Sequence, residues 1–429
     1  MPPGFHRLIA AQFASALADN ALLIVTIALL VEQGFPSWWA PLLKFGFTLS
    51  YVLLAPFVGP LADAVPKARL MAWMNGVKMV GVLGLLAGVH PMAAFTLIGF
   101  GAAAYAPAKY GLVTELVPAQ GLVQANGWVE VSVVGAALLG TVLGGLLVSP
   151  WLLGSGLYAA AREGLEFLGL ANASGLSLSI LALMLVYGSA SWLNLGVPDS
   201  GARYPACTLK LMPLLRDFNA ANMKLWRDAE GGLSLAVTTI FWGFGATLQF
   251  AVLRWAADAL QLPLNQAAYL QAAVAVGVVG GAAAAGRWVP LRAARKMLGF
   301  GVLLGLLVPA VALAPGLPWA LPLLVLVGVV GGLLVVPLNA LLQHRGFCLL
   351  TAGRSIAVQG FNENASVLGM LALYAVLLRL DLPIIMVMSG FGLSIAATMA
   401  LLWRRDARRH RAAQAKEQDA QNLPDSALL

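Results

Sequence analysis

The sequence predicts an all-α integral membrane protein with about twelve transmembrane helices, and its composition is the first reason. Hydrophobic residues make up 60% of the 429 positions and charged residues only 10%, and the mean hydropathy is +0.85. Soluble domains carry about 25% charged residues. A chain with so few charges cannot cover a water-facing surface, so most of its surface must face lipid.

The second reason is the spacing of the apolar stretches. A helix needs about 20 mostly apolar residues to cross a bilayer, and twelve such stretches follow one another along the chain. They lie near residues 8–31, 40–62, 69–89, 92–116, 122–148, 174–195, 232–257, 266–288, 297–314, 318–342, 355–378 and 383–403. The first is long enough to span and lacks a clear small-residue cleavage site, so we expect no cleavable signal peptide.

The third reason is the distribution of basic residues. With an even number of spans both termini lie on one side, and this side receives most of the 26 Lys and Arg residues. The opposite side receives Lys44, Arg162 and Arg379. Because Lys and Arg are enriched in cytoplasmic loops, we expect both termini in the cytoplasm. The net charge of +8 then reflects topology, and we expect no nucleic-acid partner.

The spans divide into two halves of six. We expect a first half at 1–195 and a second half at 232–403, joined by a polar cytoplasmic linker at 196–231. The basic tail at 404–429 is expected to be partly disordered. An insert at about 149–173 in the first half has the pattern of a short amphipathic helix on the membrane surface.

The two halves carry a weak internal repeat. Stretch 127–130 (Gly-x-x-Glu) matches 360–363 at an offset of 233, stretch 107–109 matches 337–339 at an offset of 230, and Gly59 matches Gly286 at an offset of 227. The shared offset and shared span order make the repeat persuasive although each match alone is weak. Two six-helix halves related by an axis along the membrane normal are the arrangement of the major facilitator superfamily.

The loop between spans two and three supports the same arrangement. Its sequence Gly59-Pro-Leu-Ala-Asp63-Ala-Val-Pro-Lys67-Ala-Arg69 resembles the signature loop of that superfamily. A carboxylate at the membrane surface can accept hydrogen bonds from a helix N-terminus and from nearby basic side chains. The alternative is a loop that only sets topology. Asp63 adds nothing to orientation, so we favour a conformational lock made by Gly59, Asp63, Lys67 and Arg69.

Charged residues inside the spans are the candidates for a binding site. A charge at the bilayer centre costs about 2.5–3.5 kcal/mol on insertion scales, so it usually faces a cavity or a partner. The charged residues are Asp19, Lys78, Lys109, Glu115, Glu130, Arg254 and Glu363. Lys109 can bind a phosphate or pair with Asp19 or Glu115, and both readings stay open. The alternative roles are also open: Glu115 can lie at the membrane interface, Lys78 can be structural, and Arg254 can snorkel to the interface.

Enzyme signatures are missing from the sequence. The four histidines are widely separated, and no HExxH, CxxC, Walker A or dinucleotide motif is present. We therefore expect no catalytic residues, no metal and no cofactor. A membrane-bound acyltransferase would need a histidine–acid pair close in sequence. A non-transporting scaffold would not need charges of both signs in the bilayer centre, and such charges favour a zwitterionic or anionic amphiphile over a sugar.

Several stretches resemble the bacterial lysophospholipid transporter family. They are 12–23 (Gln-Phe-Ala-Ser-Ala-Leu-Ala-Asp-Asn-Ala-Leu-Leu), 55–59, 101–111 (Gly-Ala-Ala-Ala-Tyr-Ala-Pro-Ala-Lys-Tyr-Gly), 125–127, 241–243, 336–343, 356–359 and 363–364. The resemblance implies a flippase of the Gram-negative inner membrane with the major facilitator fold, in which the two halves swing about a central site. It implies transport of lysophosphatidylethanolamine and lysophosphatidylglycerol to the cytoplasmic leaflet, where an acyltransferase restores the second chain. Monomers are usual for this superfamily.

Together these arguments define a candidate cavity. Its predicted residues are Asp19, Asn20, Lys109, Glu130, Gln249, Arg254, Asn339 and Glu363. The chain departs from the family at Gln249, where relatives place an arginine, and Arg254 lies five residues further on. Five residues turn a helix by about 140°, so Arg254 does not replace that arginine on the same face. The insert at 149–173 is also longer than the family pattern. An exporter of amphiphilic drugs or an ion-coupled symporter of small organic solutes is the alternative function.

Overall fold

The computed structural model describes residues 1–36, 39–156, 158–160, 163, 175–204, 210–262 and 264–421, and no strand occurs within these ranges. Twelve helices of the described chain follow the predicted spans. They are α1 (Phe5–Glu32), α2 (Trp39–Ala64), α3 (Lys67–Leu86), α4 (Pro91–Leu116), α5 (Leu122–Leu147), α6 (Ser177–Leu195), α7 (Ala229–Asp258), α8 (Leu264–Trp288), α9 (Leu298–Ala312), α10 (Leu317–Leu349), α11 (Ala352–Arg379) and α12 (Ile384–Gln421). The prediction of about twelve transmembrane helices is confirmed.

Helix α3 is the one long helix whose sequence is marginal for a span. Eleven described helices are long and apolar enough to cross a membrane. Helix α3 has 20 residues but carries Lys67, Arg69 and Lys78, which lower its hydropathy. The side chains of Lys67 and Lys78 are both buried in ion pairs. Helix α3 therefore lies among its neighbours with two of its three charges neutralised.

The helices pack as two bundles. In the first bundle α1 packs on α5 and α6, and α4 packs on α2 and α3. In the second bundle α8 packs on α10, α9 packs on α12, and α7 packs on α11. Small residues allow the closest approach: a Cβ atom added at Gly277, Gly281 or Gly328 would collide with the backbone of the facing helix. Such contacts drive helix association in lipid, where burial of apolar surface gains little.

The two bundles contact each other mainly at one end, which we call the closed end. It contains the end of α2 and the start of α11, and it is the end at which α1 begins and α12 leaves the bundle. A Cβ atom at Gly59 would lie 3.0 Å from Ala357 and from the Cα atom of Arg354. A Cβ atom at Gly127 would lie 2.8 Å from the carbonyl oxygen of Ala282. Glycine is therefore required where the backbones of the two bundles touch.

The bundles separate toward the opposite end. Between Gly360 and Leu373 no residue of α11 is buried, although the preceding turns of the same helix are buried against α2. A cavity of about 290 Å³ lies among α1 to α5. The molecule is thus closed at the end that carries the termini and open at the other end.

The linker, the insert and the C-terminal tail are each described only in part. A helix at Leu211–Arg227, which we call the linker helix, lies within the predicted linker. In the insert a four-residue helix spans Pro150–Leu153, but most of 157–174 lies outside the described residues, so the predicted amphipathic helix stays a prediction. Helix α12 continues to Gln421, residues 422–429 lie outside the described part, and the partial disorder of the tail also stays a prediction.

Candidate functional site

The cavity is lined by side chains of the first bundle. Its polar lining includes Asp19, Asn20, Lys44, Tyr51, Lys78 and Lys109, and apolar walls are provided by Leu23, Phe47, Phe95 and Val133. Lys44 was considered in the sequence only for its effect on topology, but its side chain lines the cavity near the open end. The hydropathy pattern of α2 does not show which face of the helix points inward, because that depends on packing. The sequence therefore gives no indication that Lys44 lines the cavity.

Asp19 is neutralised by a partner that sequence reasoning did not identify. Lys78 Nζ lies 2.7 Å and 2.9 Å from the two carboxylate oxygens of Asp19, and the Tyr187 hydroxyl donates to Asp19 Oδ1 at 2.6 Å. Lys78 also donates to Ser15 Oγ at 3.0 Å, and its side chain is 1% exposed. The available signal was that Asp19 and Lys78 are opposite charges near the middle of two spans.

Lys109 has weaker partners. Its Nζ atom lies 3.3 Å from the side-chain oxygen of Gln12 and 4.2 Å from the centroid of the Tyr110 ring. No described carboxylate forms an ion pair with Lys109 within 4.0 Å. Among the charged side chains that act on it at longer range, Glu130 is the strongest. Asp19 and Glu115, the two candidate partners from the sequence, are paired with other lysines. Lys109 can therefore accept an anion without first losing an ion pair.

Glu363 lies on α11 of the second bundle, and neither it nor Glu130 or Asn339 is among the residues that line the cavity. Gln359 Nε2 donates to Glu363 Oε1 at 2.9 Å and to Asn339 Oδ1 at 2.6 Å. Glu130 acts electrostatically on Glu363 across the boundary between the bundles. Neither carboxylate forms an ion pair with a described cation within 4.0 Å. The structure thus brings Lys109, Glu130 and Glu363 into one electrostatic neighbourhood, with Asn339 attached through Gln359.

The remaining predicted cavity residues have local partners. Gln249 and Gln271 form a reciprocal pair, in which the side-chain nitrogen of each donates at 3.0 Å to an oxygen of the other. Arg254 Nε lies 3.2 Å from Asp258 Oδ2, and these two side chains are 43% and 50% exposed. Asn20 lines the cavity and donates to the carbonyl of Ala16 at 2.8 Å. Neither Gln249 nor Arg254 contacts Asp19 or lines the cavity.

At the closed end, Asp63 ties the two bundles together. Its Oδ1 atom accepts from the Gly353 backbone N–H at 2.8 Å, and the Thr351 hydroxyl donates to its Oδ2 atom. Thr351 is the N-cap of α11 but makes no side-chain cap of its own. Asp63 therefore caps α11 from the other bundle, where a carboxylate is favoured by the helix dipole. Arg69 is exposed and forms no contact with Asp63.

Lys67 connects this cap to the first part of the linker. Its Nζ atom lies 3.8 Å from Asp63 and 2.6 Å from Glu115. Tyr204 and Ser200 donate to the two oxygens of Glu115 at 2.7 Å and 2.5 Å. Burial, together with the adjacent Glu115 carboxylate, raises the pKa of the Tyr204 hydroxyl, so this group remains a donor. Glu115 therefore belongs to the closed end and not to the cavity.

A second polar contact between the bundles was missed from the sequence. The side-chain amides of Asn126 and Gln343 donate to each other, both at 2.9 Å, and the residues are 3% and 1% exposed. The only available signal was that both lie in stretches that resemble the family. Among the described residues no group of three His, Cys, Asp or Glu side chains could hold a metal ion.

Comparison with known proteins agrees with this architecture. The sequence pattern of the Major Facilitator Superfamily matches residues 8–346. The "Lysophospholipid transporter LplT" of Citrobacter koseri is 41% identical over 401 residues, which cover 93% of this chain and 95% of the relative. The protein of the same name from Escherichia coli O1:K1 is 40% identical over the same shares.

Solved structures support the fold at lower identity. The fucose:proton symporter FucP of E. coli superposes with a TM-score of 0.68 at 16% identity, covering 94% of this chain and 98% of the symporter. A bacterial homologue of the iron transporter ferroportin, in an outward-facing state, gives 0.66 at 16% identity and covers 94% and 99%. The chain therefore belongs to the Major Facilitator Superfamily and, within it, to the lysophospholipid transporter family, whose members are transporters and not enzymes.

Proposed function

We propose that this protein transports lysophospholipids by alternating access. The observation that carries the proposal is the unequal pairing of the charged side chains within the transmembrane helices. Asp19 is neutralised by Lys78, whereas Lys109 and Glu363 lack direct ion-pair partners among the described residues. A site with one available cation and one available carboxylate is suited to a zwitterionic head group. The identity to relatives named as lysophospholipid transporters supports the substrate class.

Each part of the substrate has a matching part of the site. The phosphate binds Lys109, and Gln12 and Tyr110 hold this lysine in place. The ammonium of an ethanolamine head group binds Glu363, since Asp19 is already occupied by Lys78. The single acyl chain lies against apolar walls such as Phe47 and Phe95. A glycerol head group has no ammonium and depends on Lys109 alone.

The distribution of basic residues supports an orientation of the protein in the membrane, and the proposed direction of transport is based on this orientation. Most of the basic loop residues lie at the closed end, and cytoplasmic loops are enriched in Lys and Arg. We assign the closed end, with both termini, to the cytoplasm of a Gram-negative cell. The cavity then faces the outer leaflet of the inner membrane. The substrate enters from that leaflet and leaves on the cytoplasmic side.

The closed end acts as the conformational lock in this scheme. Asp63 caps α11, and Gly59 allows the close approach of α2 and α11. Release of the substrate to the cytoplasm requires these contacts to break. Lys67 is expected to keep Asp63 positioned, while Arg69 contributes only to topology. We further propose that the protein acts as a monomer and that a cytoplasmic acyltransferase consumes its product.

A re-acylation assay tests the proposal. Spheroplasts that lack their own lysophospholipid transporter are given labelled lysophosphatidylethanolamine, with or without this protein, and the conversion to diacyl lipid is measured. Conversion should depend on the protein and should fall in Lys109→Gln and Glu363→Gln. Arg254→Gln is the matched control, because it also removes a charge within a span, but one that is half exposed and already paired with Asp258.

Two results would contradict the proposal. If correctly inserted wild-type protein gives no conversion, the substrate class is wrong, and an exporter of amphiphilic drugs or an ion-coupled symporter of organic solutes becomes the better reading. If wild type converts but Lys109→Gln and Glu363→Gln match the Arg254→Gln control, the substrate class stands and the binding site is elsewhere.

A further inference from the structure

The linker helix, Leu211–Arg227, is packed against the transmembrane bundle. The rings of Phe218 and Phe361 meet edge to face with centroids 5.2 Å apart. Trp226 Nε1 donates to Asn362 at 3.1 Å, and Asn362 Nδ2 donates to Asn222 at 2.9 Å. The linker helix is therefore fixed along its length to α11 of the second bundle.

The same helix also lies against the first bundle. Leu214, Asp217 and Phe218 line a small pocket together with Pro56 and Pro60 of α2. Residues of α11 line the opposite wall of that pocket. The linker helix thus covers the seam at which α2 and α11 meet at the closed end.

The contacts place the linker helix at the depth of the membrane. Asn362 lies ten residues after the start of α11, which is about 15 Å along the helix axis at 1.5 Å per residue. Pro56 lies eight residues before the end of α2, about 12 Å along that axis. The 28 residues of α11 extend about 42 Å, whereas the hydrocarbon core is about 30 Å thick. With that core centred on α11, its edge lies about 6 Å from the start of the helix, so Asn362 lies about 9 Å inside the hydrocarbon. The side of the linker helix that packs on the bundle therefore reaches the outer part of the acyl-chain region.

The linker helix has one face packed on the bundle and a second, exposed face that is largely apolar, as expected for a helix at this depth. Its buried face packs Leu214, Ala221 and Leu225 on the bundle. At about 100° per residue, five exposed apolar side chains fall within an arc of about 120°. This arc contains Leu211 (59% exposed), Met212 (59%), Leu215 (39%), Met223 (42%) and Trp226 (38%). Two asparagines also fall within it: Asn219 is exposed, and Asn222 is bonded to Asn362, which also accepts from Trp226.

A basic edge adjoins the apolar arc. Arg216 and Arg227 follow it within about 40° on the helical wheel, and both are exposed. Ala220, also exposed, lies on the same polar side. A helix with one large apolar face and basic residues beside it is typical of helices that lie in a membrane interface. Tryptophan is enriched at that level of the bilayer.

We propose that the linker helix is embedded in the lipid leaflet at the closed end and binds anionic lipid. The apolar arc lies among the first carbons of the acyl chains. Arg216 and Arg227 contact the phosphates of anionic head groups, to which basic residues near a membrane surface are attracted. The depth of the helix favours lipid over a soluble protein partner. This inference does not depend on which substrate the protein transports.

Spin labels at two positions of the full-length protein test the location. In a background with Cys207→Ser and Cys348→Ser, Leu215→Cys places a label on the apolar arc and Ala220→Cys places one on the polar side. In nanodiscs of mixed zwitterionic and anionic lipid, the label at 215 should be relaxed strongly by oxygen and weakly by a water-soluble nickel chelate. The label at 220 should show the reverse preference.

Two outcomes of the labelling experiment would overturn the proposal. Strong relaxation of both labels by nickel would place the helix in water. Protection of the label at 215 from both oxygen and nickel would mean that protein, such as a second copy of this chain, covers the arc. Loss of protein in the Leu215→Cys variant is addressed by Met212→Cys, which tests the same arc.

The charge of the lipid supplies the second test. In nanodiscs made only of zwitterionic lipid, the label at 215 should become shallower, seen as higher nickel and lower oxygen accessibility. The double variant Arg216→Gln and Arg227→Gln should show the shallow position in both lipid mixtures, whereas Arg216→Lys and Arg227→Lys should keep the response to anionic lipid. If lipid charge does not change the depth of the wild-type helix, the anionic-lipid part of the proposal is wrong.

Discussion

The closed end and the cavity are both rich in buried polar side chains, but they differ in how these side chains are paired. At the closed end Asp63, Lys67 and Glu115 form one connected set of ion pairs and hydrogen bonds. Lys109 in the cavity and Glu363 across the bundle boundary have hydrogen-bond partners but no described ion-pair partner. A fully paired set of charges stabilises one conformation, whereas an incompletely paired set leaves charged side chains available to bind a substrate.

The largest expected effect concerns the Asp19–Lys78 pair. Both residues line the cavity, but they neutralise each other, as the paired charges at the closed end do. Lys78→Met leaves the Asp19 carboxylate without its cation, and breaking a buried pair in this way costs about 3–5 kcal/mol. We expect a large loss of thermal stability in detergent, measured by the temperature of aggregation.

The double variant Asp19→Asn with Lys78→Met is the control for this prediction. It removes both charges, and uncharged replacements of a buried pair are often nearly neutral. It should therefore recover most of the stability lost in the single variant. A double variant as unstable as Lys78→Met alone would mean that the pair is needed for its packing and not for its charges.

The lock is tested by Asp63→Asn. The change removes the charge that faces the N-terminus of α11, and we expect the closed state to lose about 1–2 kcal/mol, or about tenfold in population. A cysteine at Ala352, which is 0% exposed, should then react faster with a water-soluble thiol reagent, in the same cysteine-free background. Arg69→Gln changes a charge of the same loop that does not contact Asp63, and it should leave the rate unchanged.

The cavity is tested by the choice of head group. Glu363→Gln should reduce transport of lysophosphatidylethanolamine by about tenfold, the effect of losing one charge-assisted contact of about 1.5 kcal/mol. Transport of lysophosphatidylglycerol should change little, because that head group carries no ammonium. Lys109→Gln should reduce transport of both. Equal losses for the two lipids in Glu363→Gln would show that Glu363 does not contact the ammonium.

The smallest expected effect concerns the start of α7. Asp228 caps this helix by accepting from the Gly231 N–H at 2.7 Å, and the bidentate hydrogen bond from Arg345 lowers the pKa of its carboxyl group. A lowered pKa in the folded state stabilises the protein above the unfolded value of about 3.9, and this contribution is lost as pH falls through the folded value. Asn caps helices about as well as Asp, so Asp228→Asn mainly removes the ion pair with Arg345. It should cost up to about 1 kcal/mol near neutral pH and flatten the acid limb of a thermal-stability profile.

Much of the fold could be predicted because membrane insertion leaves a strong one-dimensional signal. The twelve spans follow from hydropathy. The loop with a recognisable sequence suggests that Asp63 accepts from a helix N-terminus, but it does not identify α11 as that helix. The partners of Asp19 and Glu115 could not be predicted in the same way. Which lysine reaches which carboxylate depends on the rotation of each helix about its axis, and hydropathy along a uniformly apolar helix does not specify that rotation.

The linker shows a related limit. Its polar composition predicts a connection outside the membrane, whereas the structure places Phe218 against Phe361 at the level of the transmembrane helices. The sequence pattern contained the amphipathic face of Leu211–Arg227, but only the contacts with α2 and α11 show how deep that face lies. Arg254 shows the opposite case, because a charge within a span proved to be half exposed and locally paired with Asp258.

The available ammonium of Lys109 also has an electrical consequence. A substrate with both a phosphate and an ammonium crosses the membrane without moving net charge. If transport is inward, as proposed, a substrate with a phosphate alone carries one negative charge toward a negative interior, against about 2.3 kcal/mol for each 100 mV of membrane potential. One cavity that accepts both head groups would therefore be electrogenic for one and electroneutral for the other, and energised cells would retrieve the two lipids at different rates.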